Sequence, residues 1–211
     1  MSSTEYHVDR RELHFVVNET LQAGKLCEFP NFAEFDEDMF TMIINEASTF
    51  AEQVLAPLNV NGDRQGCKIK NGAVVTPEGF TDAWKQLGEG GWLSMSLPPE
   101  FGGQGIPEVI AVIGKETQLA ANQGFTIGAS LTTGAANLIY TFGSDVQKND
   151  FCQKMFSGKW AGTMCLTEPH AGSAVGDVIT SVNSKPIRDQ QQLRNMLGLM
   201  PPGSNLSINV Q

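Results

Sequence analysis

The spacing of apolar residues changes once along this 211-residue chain, and the change limits the folds that the chain can adopt. Before residue 158 the spacing is helical. The clearest stripe follows Asp36, the expected N-cap, and is predicted to end at Pro57. Its members recur every three or four residues and are Phe40, Ile43, Ile44, Ala47, Phe50, Ala51, Val54 and Leu55. After residue 176, short alternating segments lie between turn residues. The chain is therefore predicted to be mainly α, with a short α+β segment at its end.

Capping and helix-breaking residues set the limits of the next predicted helices. One helix is predicted near residues 11–22. Thr76 is predicted to cap another, which has Pro77 at its first position, where a missing N–H costs little. A further helix begins near Pro107, and Gly124 is predicted to separate it from the uncharged helix that follows. The sequence NVNGDRQGCKIKNG is interpreted as a turn-rich loop between the first stripe and Thr76.

A capping box marks the last predicted helix of the first part. Ser144 and Gln147 form the S-x-x-Q pattern, and the helix is expected to run to about Phe156. Gly158 lies where a left-handed glycine commonly ends a helix. Residues 160–167 are then predicted to form the first strand, so β structure is expected only after residue 158.

Charge excludes several classes of partner. The chain has 14 basic and 23 acidic residues, a net charge of -9, which argues against nucleic acid or an anionic membrane as the main partner. The longest uncharged run, residues 118–144, is rich in Gly, Thr, Asn and Ser, so no membrane span is predicted. The first residues lack a basic leader followed by an apolar core. A cytoplasmic location is therefore expected.

The four cysteines show no spacing typical of metal ligands. No C-x-x-C pair is present, and no pair of histidines lies near any of them. The expectation is therefore that the cysteines, Cys27, Cys67, Cys152 and Cys165, are buried reduced thiols and that the chain has no metal site.

Several motifs in residues 30–173 resemble the acyl-CoA dehydrogenase family. They are LPPEFGGQG, FTIGASLTTGAANLIYTFGS and the specific run SGKWAGTMCLTEPHAGS; APLNVNGDRQGC and TPEGF look most like the subgroup that includes methylmercaptopropionyl-CoA dehydrogenases. The resemblance implies an N-terminal helical domain, a middle β domain and a C-terminal helical bundle. It also implies FAD as cofactor, acyl-CoA as substrate, and α,β-dehydrogenation of the acyl chain.

The same resemblance implies where the flavin would lie. Met164, Leu166 and Thr167 would face the isoalloxazine ring, and Gly172 and Ser173 would lie near the FAD pyrophosphate and the acyl-CoA. A turn of small residues allows backbone N–H groups to approach phosphate closely. The uncharged helices around Gly124 would either line a pocket for the acyl chain or pack in the core.

No residue of this chain is assigned as the catalytic base. The family's base is a Glu of the C-terminal bundle, a region with no counterpart in this sequence. Glu168 and His170 lie beside the flavin motif, but Glu168 is interpreted as a structural carboxylate and His170 as a loop side chain. The chain is therefore expected to be inactive by itself and to lose FAD on purification.

The last part of the chain resembles the C-terminal half of a PDZ domain from the Deg-type serine proteases. The likeness rests on GDVITSVNSKPIRDQQQLRNMLGLMPPGSNLSINV, residues 176–211. PDZ domains bind a peptide as an added strand at a sheet edge. The carboxylate-binding loop and edge strand of that family precede this half and have no counterpart here, so peptide binding is not expected.

The two resemblances predict three segments and leave the function open. Residues 1–158 form the helical dehydrogenase-like domain, 159–175 the first strand and flavin-contacting turn, and 176–211 the PDZ-like half. The favoured interpretation is a fragment of an FAD-dependent acyl-CoA dehydrogenase fused to a partial PDZ domain. The alternatives are a protein-interaction module, or a recombined or engineered chimera in which the PDZ-like half completes the fold. Uncovered helix faces also predict self-association.

Overall fold

A computed structural model of the chain describes residues 6–163, 179–187, 192, 196 and 207–210. The chain divides into two compact units, Met1–Thr163 and Met164–Gln211. The first unit is mostly helical, and the described strands of the second form a small antiparallel sheet. The prediction of a mainly α chain is confirmed.

The first unit is built from α-helices and π-helical segments. The α-helices are α1 (Arg10–His14), α2 (Glu37–Phe50), α3 (Ala56–Gln65), α4 (Phe80–Glu89), α5 (Glu108–Ala121), α6 (Gln123–Phe142), α7 (Asp145–Gln147) and α8 (Gln153–Phe156). The π-helical segments are Phe15–Thr20 after α1, Ala51–Leu55 between α2 and α3, and Lys148–Cys152 between α7 and α8. Short 3₁₀ helices lie at Ala23–Glu28, Pro30–Phe32 and Pro99–Phe101.

The prediction that the helix after Asp36 ends at Pro57 is wrong. Asp36 does cap α2, since its carboxylate accepts from the Met39 N–H at 2.7 Å. The helix then continues through the π-helical segment Ala51–Leu55, where the Ala56 N–H donates to the Ala51 carbonyl. Pro57 is the second residue of α3, directly after this widened turn, so its missing N–H and its ring are tolerated.

A β-hairpin replaces part of the predicted turn-rich loop. Strands β1 (Lys68–Lys70) and β2 (Ala73–Val75) pair antiparallel across Asn71 and Gly72. Both turn residues have positive φ, 53° and 79°, the geometry of a two-residue type I′ turn. The prediction that β structure begins only after residue 158 is therefore wrong, because Asn71 and Gly72 adopt the hairpin turn that an Asn-Gly pair favours.

Two helix boundaries also differ from the prediction. α4 begins at Phe80 with Gly79 as N-cap, because residues 77–79 form a turn that is closed by the Phe80 N–H and the Pro77 carbonyl. The break between α5 and α6 lies at Asn122, whose φ is -157°, while Gly124 lies inside α6. Asn122 can end one helix and cap the next because its side-chain oxygen accepts from the Phe125 N–H.

The end of the first unit follows the predicted caps but not the predicted strand. Ser144 and Gln147 form the capping box at the start of α7, and Gly158 has a φ of 72° after α8. The Trp84 indole N–H donates to the Gly158 carbonyl at 2.8 Å and fixes this turn against α4. Residues 161–163 have no regular structure, so the predicted strand does not begin at residue 160; residues 164–167 lie outside the described part.

Apolar side chains form the core of the helical unit in three clusters. Helices α2 and α5 bring together Phe40, Ile44, Ile110 and Ala111 with Met95. The second cluster joins the α2–α3 helix, α4 and α6 and includes Leu55, Leu87, Leu93, Ala121 and Phe125. The third lies between α6 and α8 and contains Leu97, Ala136, Cys152, Met155 and Phe156.

The expectation that the cysteines are buried holds for only part of the set. Cys152 is fully buried, Cys27 is half-buried and Cys67 is exposed, and these three are free thiols. Cys67 is exposed because it precedes the hairpin, whose strands lie entirely at the surface. Burial raises the pKa of the Cys152 thiol, which keeps it protonated at neutral pH. Cys165 lies outside the described residues.

The second unit contains the strands predicted for the end of the chain. Strands β3 (Ile179–Val182), β4 (Lys185–Pro186) and β5 (Ile208–Val210) form an antiparallel sheet in the order β4-β3-β5. Asn183 and Ser184 have positive φ and form the turn between β3 and β4. Residues 192 and 196 are helical, as predicted.

Among the described helices, none combines the length and the apolar character needed to cross a membrane.

Candidate functional site

The candidate site is a pocket of about 240 Å³ between α5 and α6. Helix α5 contributes Lys115, Gln118 and Leu119 to its lining. The segment that follows α4 closes one side with Trp92 and Leu93. Most of the lining therefore lies in the uncharged segment 118–144 that the sequence singled out, which also supplies core residues such as Ala121 and Phe125.

Helix α6 presents a face of small side chains to the pocket. The contributing residues are Thr126, Ala129, Ser130, Thr133 and Gly134. Their spacing of three and four residues places them on one face of the helix. Small side chains on this face leave room between α6 and α5, and this room is the pocket.

Hydrogen bonds hold the Trp92–Leu93 wall in place. The Thr133 hydroxyl donates to the Leu93 carbonyl at 2.9 Å, and the Gln104 side chain donates to the Gly91 carbonyl at 2.8 Å. The Trp92 ring stacks on Phe50, with 5.9 Å between the ring centroids. The wall is thus fixed to α6 on one side and to α2 on the other.

The glycine-rich loop after Leu97 supports the same wall. The Gln104 N–H donates to the Ser94 carbonyl, and the Ile106 N–H donates to the Met95 carbonyl at 2.8 Å. A side chain at Gly103 would overlap the Leu97 carbonyl, so the loop can fold back this closely only because residue 103 is glycine. The LPPEFGGQG motif therefore orders the segment that carries Trp92.

Asn122 fixes the angle at which α5 and α6 meet below the pocket. Its side chain is buried, with 2% exposure. Its amide N–H donates to the Leu55 carbonyl at 3.1 Å, and its oxygen accepts from the Phe125 N–H at 3.0 Å. One side chain therefore connects the break between the helices to the π-helical segment Ala51–Leu55.

Helix α5 is also held from its outer side by Tyr6. The Tyr6 hydroxyl donates to the Thr117 carbonyl at 2.9 Å. Burial raises the pKa of the Tyr6 phenol, and the nearby carboxylates Glu52 and Glu116 raise it further. Tyr6 therefore stays protonated and keeps this bond at neutral pH.

The polar groups in the pocket differ in what they can offer a ligand. The hydroxyls of Thr126 and Ser130 donate to the backbone carbonyls of Asn122 and Thr126, at 2.8 and 3.1 Å. Lys115 forms an ion pair with Glu108 at 3.3 Å. Gln118 is 4% exposed, and its side-chain nitrogen is the buried donor for which the described structure shows no hydrogen-bond partner.

The last residues of the helical unit, which ends at Thr163, contact α6. Thr132, fully buried, accepts from the Gly162 N–H at 3.0 Å. A Cβ at Gly162 would approach the Ala135 side chain within 2.7 Å, so the contact depends on glycine. This contact places the backbone of Gly162, two residues before Met164, against α6. Thr132 is next to the pocket residue Thr133 in the sequence but lies on a neighbouring face of the helix.

The site residues assigned from the sequence lie outside the described residues. They are Met164, Leu166, Thr167, Gly172 and Ser173, together with Glu168 and His170. Sequence reasoning did not select Trp92, Gln118 or Thr133. The small-residue spacing in α6 was a usable signal for Thr133, whereas Trp92 and Gln118 are brought to the pocket by tertiary packing.

A second pocket, of about 460 Å³, lies beside α2. It is lined by residues that include Glu46, Thr49, Gln53 and Gln104, and Trp92 lines both pockets. Among the described residues, no group of three or more His, Cys, Asp or Glu side chains could hold a metal ion.

Comparison with known proteins defines the family. The model of the acyl-CoA dehydrogenase N-terminal domain matches residues 37–159, which is more than half of the chain and includes the whole pocket. The chain is 35% identical over 173 residues to 3-methylmercaptopropionyl-CoA dehydrogenase from Ruegeria pomeroyi, covering 82% of this chain and 29% of that protein. It is 33% identical to a butyryl-CoA dehydrogenase from Syntrophomonas wolfei, covering 85% of this chain and 30% of the relative.

The fold agrees with this result. Butyryl-CoA dehydrogenase from Megasphaera elsdenii superposes with a TM-score of 0.54 at 26% identity, covering 67% of this chain and 36% of that structure. A glutaryl-coenzyme A dehydrogenase in complex with glutaryl-CoA shares the fold, with a TM-score of 0.55. Residues 37–159 of the helical unit are therefore an acyl-CoA dehydrogenase N-terminal domain. The chain belongs to the acyl-CoA dehydrogenase family, and it spans about 30% of the length of the curated relatives named above.

Proposed function

We propose that the pocket between α5 and α6 holds the acyl chain of an acyl-CoA that is dehydrogenated between its α and β carbons. The observation that carries this proposal is the pocket itself, which lies within the family-matched region and has an apolar wall of Leu93, Leu119 and Ala129. The rest of the lining includes polar side chains, and a pocket that combines apolar walls with polar groups is typical of a small-molecule site. The names of the relatives given above state that those proteins act on acyl-CoA substrates.

We propose that residues Met164, Leu166, Thr167, Gly172 and Ser173 contact FAD in the assembled enzyme. The resemblance of the CLTEPHAGS motif to the family supports this assignment. The contact between Thr132 and Gly162 supports it as well, because it holds the backbone two residues before Met164 against α6. When bound, the flavin accepts the hydride that leaves the β carbon.

We propose that the 211-residue chain does not catalyse this reaction by itself and does not retain FAD. The described lining of the pocket contains no carboxylate that could remove the α-proton. Its amine, that of Lys115, is paired with the Glu108 carboxylate at 3.3 Å. General base catalysis contributes about 10²–10⁴-fold. Acyl-CoA-dependent dye reduction at a rate near that of the family's enzymes would contradict the proposal, as would a yellow protein with one FAD per chain.

We propose that residues 176–211 are a PDZ-like half that forms its own unit. The strand order β4-β3-β5, the helical residues 192 and 196 and the turn at Asn183 support this proposal, since they follow the GDVI, NSKPI and SINV motifs. The PDZ resemblance of residues 176–211 does not include that family's upstream edge strand and carboxylate-binding loop, so apolar C-terminal peptides should not bind at micromolar concentration. Saturable peptide binding that Leu193→Asp abolishes would instead favour an interaction module.

We propose that the helical unit associates with a second copy of the chain through the outer stripe of α6, defined as Ile127, Leu131, Leu138 and Phe142. Ile127 and Leu138 are more than half exposed and Phe142 is 80% exposed, and the spacing places the four on one helix face. Contiguous apolar surface of this kind rarely remains uncovered on a monomer.

Filling the pocket tests the acyl-binding proposal. A side chain at Gly134 would meet no atom within 4 Å, so Gly134→Leu should occupy the pocket without disturbing the helix. Gly128→Leu is the matched control, because residue 128 also has open space but does not line the pocket. Pentanoyl-CoA, compared with free CoA, should change the tryptophan fluorescence, to which the pocket residue Trp92 contributes, saturably in the wild type and in Gly128→Leu, but not in Gly134→Leu. Equal titrations in all three proteins would overturn the proposal.

A further inference from the structure

We infer that Asn71 is a site of non-enzymatic deamidation in the folded chain, where the side-chain amide is converted to a carboxylate. Asn71 and Gly72 form the turn of the hairpin made by β1 and β2. The products are an aspartate or an isoaspartate at position 71. The inference concerns the hairpin alone and is independent of the proposed function of the pocket.

The reaction needs only the residue after the asparagine and water. The backbone nitrogen of Gly72 loses its proton to hydroxide and bonds to Cγ of Asn71, while the bond from Cγ to the side-chain nitrogen breaks and ammonia leaves with a proton from water. Water then opens the resulting succinimide ring at either of its carbonyl groups. The sum is an exchange of ammonia for water, without oxidation or reduction. Glycine permits the attack because it has no Cβ that would crowd its nitrogen.

The chain contains two Asn-Gly pairs, one in α3 and one in the hairpin, and their surroundings differ. Asn71 and Gly72 are both exposed, and a Cβ at Gly72 would meet no atom within 4 Å. In a two-residue hairpin turn the flanking pair, here Lys70 and Ala73, makes the closing hydrogen bonds, so the Gly72 N–H is not part of the ladder. The attacking nitrogen and the amide that it attacks are therefore both open to water.

The hairpin also allows the bond rotations that ring closure requires. The residues of both strands are exposed, so burial does not hold the hairpin in place. A two-stranded hairpin is marginally stable by itself, and surface elements with few buried contacts open at a low free-energy cost. Opening of the turn can therefore bring the Gly72 nitrogen to the Asn71 side chain while the helical unit remains folded.

The pair in α3 has the opposite surroundings. Gly62 lies inside the helix, where backbone N–H groups donate to the preceding turn. The Phe80 ring packs on it, since a Cβ at Gly62 would lie 2.5 Å from Cζ of Phe80. The Asn61 side chain is held by the Gln65 amide, which donates to its oxygen at 2.9 Å. Reaction at Asn61 therefore requires that α3 opens first.

Ageing of the full chain at mildly alkaline pH tests the inference. The aged protein is digested, and liquid chromatography with mass spectrometry separates the Asn61 and Asn71 peptides from their aspartate and isoaspartate forms. In the folded chain, conversion at Asn71 should be at least about tenfold faster than at Asn61, because Asn61 reacts only from the small open fraction of α3. In urea, which unfolds both segments, the two pairs should react at similar rates.

Two matched variants assign the reaction to the hairpin. Asn71→Gln keeps an amide but would have to close a larger ring, so it should abolish the conversion of the hairpin peptide. Asn61→Gln is the control and should leave that conversion unchanged. Equal conversion of the two pairs in the folded chain would overturn the inference. An Asn71 peptide that stays intact over the time in which the urea-unfolded chain reacts would also overturn it.

Discussion

Asn122 lies in an uncharged segment of the sequence, yet it makes hydrogen bonds to three residues around the pocket, Leu55, Phe125 and Thr126. Its side chain caps α6 and donates to the Leu55 carbonyl, and its backbone carbonyl accepts from the Thr126 hydroxyl at 2.8 Å. The pocket residue Thr126 is thereby oriented by the same residue that sets the angle between α5 and α6.

Asn122→Ala should therefore destabilise the helical unit by about 2–3 kcal/mol. The loss combines about 1 kcal/mol for the cap with the lost hydrogen bond to the Leu55 carbonyl and the small cavity that the buried amide would leave. Urea denaturation followed by far-UV circular dichroism measures the change. Asn137→Ala is the control, because Asn137 is exposed on the same helix and its replacement should change the stability by less than about 0.5 kcal/mol.

Glu52 makes the stability of the helical unit depend on pH. Both of its carboxylate oxygens accept from Arg10, at 3.0 and 2.6 Å, and one also accepts from the Val8 N–H at 2.8 Å. The hydrogen bond from Arg10 lowers the pKa of Glu52, and the bond from Val8 lowers it further. The network ties the N-terminal segment to the long helix formed by α2 and α3.

A lowered pKa in the folded state fixes the sign of the pH effect. The contribution of Glu52 is fully present above the ordinary glutamate pKa of about 4.3 and is lost as the pH falls below it, through the pKa of the folded state. The stability difference between the wild type and Glu52→Gln should therefore be constant at neutral pH and should shrink in acid. Glu89→Gln, at an exposed ion pair with Lys85, should show little difference at any pH. A difference that persists unchanged at pH 3 would contradict this account.

At the scale of elements, two helical glycines have opposite roles. A Cβ at Gly88 in α4 would lie 2.5 Å from the Ser157 carbonyl oxygen, so the close contact of α4 with the turn after α8 requires glycine. A Cβ at Gly128 in α6 would meet no atom within 4 Å. The intrinsic helix propensity of glycine is the same at both positions, so only the atoms packed around Gly88 and Gly128 distinguish their roles.

Gly88→Ala should therefore destabilise the chain by about 1–3 kcal/mol, as overpacking against backbone does. Gly128→Ala should stabilise it by about 0.5–1 kcal/mol, because alanine loses less entropy in a helix. Thermal unfolding of both variants measures whether the melting temperature falls for Gly88→Ala and rises for Gly128→Ala. A neutral or stabilising effect of Gly88→Ala would show that the contact between α4 and the turn at residues 157–158 is unimportant.

The elements also show what the sequence could and could not predict. The Asp36 cap, the Ser144–Gln147 capping box and the left-handed Gly158 were predicted because each depends on a few neighbouring residues. Pro57 was misassigned because a π-helical turn, set by tertiary packing, accommodates it. The hairpin was missed although its Asn71-Gly72 turn was readable.

The candidate site was predictable only in outline. Uncharged helices with small residues indicated a pocket or a core, and the structure contains both. Trp92 and Gln118 could not be selected, because they reach the pocket from different elements and their role depends on three-dimensional contacts. The flavin assignments of Met164 to Ser173 remain predictions, since these residues lie outside the described part of the chain.

At the scale of the whole molecule, the outer stripe of α6 predicts self-association. Light scattering coupled to size-exclusion chromatography should show a mass above that of the 22.8 kDa monomer. Leu138→Glu combined with Phe142→Glu should shift the chain towards the monomer. Ile69→Glu is the control, because Ile69 is an equally exposed apolar residue on the hairpin, away from the stripe. A wild-type chain that is monomeric at all concentrations would contradict the proposal.

The central claim, that the pocket between α5 and α6 holds an acyl chain, is tested most directly by photo-crosslinking. A CoA thioester with a diazirine in its acyl chain is irradiated with the protein, and the labelled residues are identified by mass spectrometry. The account predicts labels on pocket residues such as Leu119, Ala129 and Ser130, which excess pentanoyl-CoA suppresses. Labels confined to the outer stripe of α6, or to the pocket beside α2, would contradict it.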